Sequence, residues 1–203
     1  MPKNVIFDLG NVILHFDWKE YLNSFTKDKT EQDFIEKYIY YSPEWYNGSL
    51  ADLGYMTRED SIQAQMERSN HKNDELLLRF WNDFLNAYII NDKVMELIKK
   101  IKSQGYKIYL LSNLSEDAYE HLADHELFKI LDGAIFSYKV HKIKPNDAIY
   151  HELETQYGIK FEESIFIDNN QDNVDTGNRL GLKSIKVNDN DYEDLANKIS
   201  KYI

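Results

Sequence analysis

From residue 89 onward, short apolar runs alternate with longer stretches in which apolar residues recur every three or four positions. The runs are YKIYLLSN (106–113), GAIFS (133–137), SIFIDNN (164–170) and LKSIKV (182–187), and NVIFDLGN (4–11) is of the same kind. Each ends in polar or turn residues, as a buried parallel strand does. Helical spacing marks 92–104, 115–126, 146–157, 172–180 and 191–202; in the first of these Val94, Leu97, Ile98 and Ile101 share a face. Strands that alternate with helices build βαβ units, so the chain is expected to be α/β, with a doubly wound parallel sheet covered on both faces. Gly105, Gly158 and Gly181 each follow a helix and precede a strand, where a C-cap glycine belongs.

Residues 16–88 break this rhythm. They read as helices only, at 18–26, 31–41, 57–69 and 73–87, with a turn around Pro43, Gly48 and Gly54. The simplest organisation is an α/β core domain made of residues 1–15 and 89–203, interrupted by a helical cap domain at 16–88. At 203 residues the chain is long enough for both.

Charge and composition narrow the partners. With 24 basic and 35 acidic side chains the net charge is −11, a surface that repels nucleic acid and anionic membranes. There are no cysteines, which excludes disulfides, thiolate metal sites and a Cys nucleophile. The N-terminal apolar stretch is broken by Asp8 and carries one lysine, unlike a signal peptide, and no apolar run is long enough to span a bilayer. A cytoplasmic protein, monomeric or a small homo-oligomer, is the expectation.

In open α/β sheets ligands bind at the carboxyl ends of the strands. Here those ends carry Asp8, then Ser112 and Asn113, then Asp168 followed by Asn169, Asn170 and Asp172. Lys144 lies just before a helix announced by Pro145. Each alone reads more simply as a cap, a turn or a solvated side chain. Together they form a chemical set. Two carboxylates from separate strands suit a hard divalent ion that keeps waters and binds phosphate oxygens, as magnesium does. A hydroxyl and an ammonium add a donor and a positive charge for a phosphoryl group, and an aspartate can itself be the nucleophile.

Taken in order, FDLGNV, LLSN, KPNDAIY and FIDNNQDNVDTGNRLG make the chain resemble the haloacid dehalogenase-like hydrolases over essentially its whole length. It is similar, more narrowly, to the small-cap sugar-1-phosphate phosphatases that carry FDLGNV. The resemblance implies that Asp8 is the nucleophile and that Ser112 and Lys144 bind the phosphate. It also implies a Mg2+ ion held by Asp8, the Gly10 carbonyl and Asp168, with Asp172 supporting the metal or orienting Lys144. The substrate implied is a small phosphorylated metabolite, hydrolysed through an aspartyl-phosphate, with Asn113 at its binding site. In the aromatic-rich stretch 38–56, Trp45 and Tyr46 are the candidates to contact a sugar, while the other rings pack the cap helices.

Two departures bear on the chemistry. Most phosphatases of this family have an acid where Gly10 stands, and it protonates the leaving group. The last motif also reads Asp168-Asn169 in place of two acids. A 2-haloacid dehalogenase needs no such proton, since halide leaves as an anion, and a catalytically silent binding protein needs none either. If Gly10 serves only the turn after the strand, His15 and Asp17 are the nearest groups able to lend a proton. Without a donor, sugar-1-phosphates should be hydrolysed in preference to 6-phosphates, because an anomeric hydroxyl is the more acidic leaving group. Of the histidines, only His121 and His125 have a ligand-like i, i+4 spacing, and a surface pair on one exposed helix is expected there.

Overall fold

A computed structural model describes residues 2–43 and 50–203 of the chain; Trp45 and Tyr46 lie outside the described residues. Five strands, β1 (Asn4–Phe7), β4 (Lys107–Ser112), β5 (Gly133–Phe136), β6 (Ser164–Asp168) and β7 (Lys183–Lys186), form one parallel sheet in the order β5-β4-β1-β6-β7. The short β2 (Leu14–His15) and β3 (Ile89–Ile90) pair separately as an antiparallel ribbon.

The near-continuous apolar character of the strands follows from burial on both faces. Val5 and Phe7 of β1, Ile108 and Leu110 of β4, and Ile165 and Ile167 of β6 point to one side. They meet α5 (Asp92–Ser103), α6 (Glu116–Leu122) and α11 (Tyr192–Ile199) through Ile98, Leu122 and Leu195. The alternate residues Ile6, Tyr109, Leu111 and Phe166 point to the other side, against Ile149, Tyr150 and Leu153 of α9 (Asp147–Tyr157). On that side α10 (Gln171–Arg179) comes close to the sheet at Gly177, where an added Cβ would lie 2.1 Å from the Ser184 hydroxyl. Phe7 and Phe166 are fully buried, and truncating such a ring to alanine costs about 3–5 kcal/mol.

The five strands of the parallel sheet stand where the sequence places them; the helices differ in detail. The stretch 115–126 is not one helix: α6 stops at Leu122, and α7 (Glu126–Ile130) begins anew with His125 as its N-cap, the ring accepting from the Leu127 N–H. His121 and His125 are therefore not an i, i+4 pair on one helix. A four-residue helix, α8 (Ser137–Val140), follows β5 directly. Gly158 ends α9 in the left-handed conformation, as a C-cap glycine should.

Between β1 and β4 the chain forms α1 (Trp18–Phe25), α2 (Lys29–Ile35), a π turn at 36–40, α3 (Arg58–Arg68), α4 (Asp74–Asp83) and a 3-10 turn at 84–87. These helices bury their own cluster, with Tyr21, Ile39, Leu77, Phe80 and Phe84 at its centre. The β2–β3 ribbon lies where the chain leaves the sheet and where it returns, with Leu14 opposite Ile90 and His15 opposite Ile89. Two-residue strands give little periodic signal, and the sequence does not announce them.

Candidate active site

Strand register assembles the site. Phe7 pairs with Ile167, and the Asp8 N–H continues the ladder to the Ile167 carbonyl at 2.8 Å, so Asp8 and Asp168 stand side by side at the ends of adjacent strands. β1 is also the switch point of the sheet, since the chain adds β4 and β5 on one side of it and β6 and β7 on the other.

Lys144 closes the group. Its Nζ donates to Asp8 Oδ1 at 2.8 Å and to Asp168 Oδ2 at 2.7 Å, and all three residues are buried. Burial is the largest influence on Asp8, only partly offset by Lys144, and with the field of Asp168 it pushes the carboxyl up to about 6. Burial also opposes charge on Lys144, but the two carboxylates, Asp168 first, outweigh it and hold the ammonium above its ordinary range. A buried ion group of this kind persists when hydrogen bonds satisfy its remaining atoms. Asp168 meets that condition: Oδ1 accepts the Asn170 N–H at 2.7 Å, and Oδ2 also accepts the Asn173 side chain at 2.9 Å.

Asn173 is a residue that reading the strand ends overlooks. Asp172 is exposed, whereas Asn173, one residue on, faces inward and is held in turn by the Tyr150 hydroxyl on its carbonyl. The last motif supplies a signal only once helical phase is known, because one position along α10 turns a side chain by about 100°. Asn169 donates to Asp189 at 3.0 Å.

On the β4 side, Ser112 is buried at the strand end. Asn113 uses both ends of its amide on one residue, accepting the Lys144 N–H at 2.8 Å and donating to the Lys144 carbonyl at 3.1 Å. That two-point clamp fixes the loop from which the lysine reaches inward. Ser137 does the same for Leu114, bonding its N–H and its carbonyl.

Gly10 does not serve the turn. The left-handed residue there is Asn11, with φ 57°, and a Cβ at Gly10 would meet nothing within 4 Å. Asn11 organises the loop: its side-chain oxygen accepts from the Phe16 N–H and from Asn190. His15 and Asp17 do not line the cavity described below and have partners of their own. Asp17 caps α1, accepting from the Lys19 and Glu20 N–H groups, and His15 pairs with Glu20.

Beside this group a cavity of about 240 Å³ opens between the strand ends and the helical insertion. Leu9, Gly10, Ser112 and Asn113 line it from the sheet; Arg58, Trp81, Phe84 and Tyr88 line it from the other side. Arg58 donates to the Trp81 carbonyl, and its Nε is buried with no hydrogen-bond partner among the described residues.

The donor set fits magnesium. Asp8, Asp168 and Lys144 sum to one negative charge, and the oxygen donors are hard. Magnesium binds through one or two carboxylates and keeps several waters, so the absence of any cluster of three His, Cys, Asp or Glu side chains among the described residues does not count against it.

Comparison with known proteins agrees with this fold. The chain is 23% identical over 208 residues to a D-ribitol-5-phosphate phosphatase of Bacteroides thetaiotaomicron, covering 92% of each. It is 24% identical over 98 residues to a sesquiterpene phosphatase of Aspergillus oryzae, covering 48% of this chain. It spans half or less of the length of the Aspergillus proteins that it matches. Among solved structures, a HAD family enzyme from Bacteroides thetaiotaomicron in complex with magnesium and inorganic phosphate superposes with a TM-score of 0.76 at 20% identity, covering 94% of this chain and 96% of that one. A family model described as haloacid dehalogenase-like hydrolase matches residues 2–181. Sheet order, strand-end residues and this match together make the chain a member of the haloacid dehalogenase-like hydrolases.

Proposed function

We propose that the chain is a magnesium-dependent phosphatase of small phosphomonoesters, a sugar phosphate such as a sugar-1-phosphate foremost, and that its helical insertion is the cap over the site. The observation that carries this reading is the buried Asp8–Lys144–Asp168 group, next in the chain to Leu9 and Gly10 of a cavity that Ser112 also lines.

Asp8 attacks phosphorus through a carboxylate oxygen, and burial leaves that oxygen weakly hydrated and so a stronger nucleophile. The Lys144 ammonium balances charge on the phosphoryl oxygens, and the Ser112 hydroxyl donates to them. Asp168 orients Lys144 throughout, and Asn113 keeps its backbone in place. Magnesium, held by Asp8, Asp168 and the Gly10 carbonyl, would supply further positive charge at those oxygens. On the leaving-group side, the buried Arg58 Nε offers a donor to sugar oxygens, and the Trp81 and Phe84 rings offer apolar faces.

Phosphate release from a panel of sugar phosphates, with magnesium and with a chelator, tests the reading. Turnover that requires the metal is expected. Turnover indifferent to chelator, with halide released from a 2-haloacid, would replace it with the dehalogenase that Gly10 alone would suit.

A further inference from the structure

An alkyl phosphate ester breaks slowly unless its departing oxygen is protonated as the bond parts. Gly10 provides no acid, Asp17 is taken up capping α1, and His15 is paired with Glu20 away from the cavity. Two other carboxylates border the cavity beside Gly10 and Ser112: Asp52, from the insertion, and Asp117, from α6.

Asp117 already accepts the Ser115 hydroxyl at 2.6 Å, within the first turn of α6, where the N–H groups favour a carboxylate. The Tyr88 phenol, also in the lining, is kept neutral far above its ordinary range, first by burial and then by the fields of Asp52 and Asp117.

Asp52 begins a segment that is fixed to the sheet side of the cavity. The three residues after it dock in sequence onto the end of α8. The His141 Nδ1–H donates to the Leu53 carbonyl at 2.7 Å. Gly54, at φ +71°, approaches the Tyr138 carbonyl so closely that a Cβ would lie 2.4 Å from that oxygen. Tyr55 stacks on the His141 ring, with centroids 5.1 Å apart and planes 6° apart. β5, which leads directly into α8, pairs with β4 at Ser112↔Phe136, so the anchor belongs to the same sheet edge as the phosphate-binding serine.

We infer that Asp52 is the proton donor to the leaving group, an assignment that rests on the phosphatase reading above. Asp8 attacks phosphorus and the bond from phosphorus to the ester oxygen breaks, the electron pair staying on that oxygen. The oxygen takes the proton of the Asp52 carboxyl and departs as an alcohol. A water then attacks the phosphorus of the aspartyl-phosphate, gives a proton to the Asp52 carboxylate, and frees Asp8 and inorganic phosphate. Native turnover therefore extends to unactivated esters such as hexose 6-phosphates.

The test compares p-nitrophenyl phosphate, whose leaving group needs no proton, with a hexose 6-phosphate, both with magnesium. Asp52→Asn should lower kcat/KM on the 6-phosphate by ~10²-fold or more while changing the aryl ester less than about threefold. Adding Gly10→Asp to that variant should restore part of the loss, since the space at residue 10 is open. Equal losses on both esters, or no loss on either, would overturn the assignment, as would a selective loss in Asp117→Asn that Asp52→Asn lacks. Wild-type aryl phosphate hydrolysis that is absent, or that survives Asp8→Asn, would instead overturn the phosphatase reading itself.

Discussion

The carboxyl end of the sheet and the helical insertion face the same cavity, yet they are built on opposite principles. At the sheet end, polar side chains are fixed one by one: Asp168 by three donors, Lys144 by two carboxylates, its backbone by Asn113. The insertion is held mainly by rings. Phe80 and Phe84 stack at 5.4 Å, Tyr21 meets both edge-on, and Phe16 packs against Phe84 and Tyr88. Directional bonds give geometry at the cost of desolvation, whereas ring packing gives cohesion that tolerates small shifts.

The contrast is sharpest at Asp8. Asp8→Asn keeps the shape and removes the attacking charge, so turnover should fall at least ~10³-fold, about 4 kcal/mol of barrier. Lys144 keeps Asp168, and a repulsion between carboxylates is relieved, so chemical denaturation should find the fold as stable as before. A variant that keeps full turnover would break the mechanism.

Removing the ammonium acts on stability as well as on turnover. Lys144→Met leaves two buried carboxylates without their counter-charge, and a loss of about 3–5 kcal/mol in unfolding free energy is expected, measurable in urea. An unchanged midpoint would mean that the sheet end is as tolerant as the insertion.

Gly54→Ala probes the join between the regions. It combines a left-handed φ with a Cβ against the Tyr138 carbonyl, so the docking segment must shift. A fall in kcat/KM of ~10- to ~100-fold is expected for such a displacement, with the melting of the sheet little altered. Unchanged kinetics would show that the insertion need not dock there for turnover.

The smallest effect is expected far from the site, at Asp132 beside β5. Burial opposes its charge, but hydrogen bonds from Lys102 at 2.7 Å and the Ile108 N–H at 2.8 Å hold its carboxyl below the ordinary range. A lowered folded value contributes stability that is present above the unfolded value and is lost as pH falls through the folded one. The pair is partly exposed, so the contribution should be at most ~1 kcal/mol. Asp132→Asn should flatten the acid limb of stability against pH and leave activity unchanged.

Periodicity and composition alone determined the five strands, most of the helices and the interruption after β1, because burial on two faces writes itself into runs and burial on one face into spacing. The strand-end residues Asp8, Ser112 and Asp168 were legible for the same reason, since a polar residue that ends a buried run has few places to go, whereas Lys144, on a loop, stood out only in combination with them. Tertiary structure decided what depends on phase and long-range approach. Asn173 displaces Asp172 through the phase of α10, and Asn113 clamps a loop 31 residues away. Asn11 takes the left-handed turn that Gly10 does not need. Asp52 lines the cavity, and the residues that follow it are held by His141 and Tyr138. No local pattern encodes such contacts, for their partners are set by how the insertion meets the sheet.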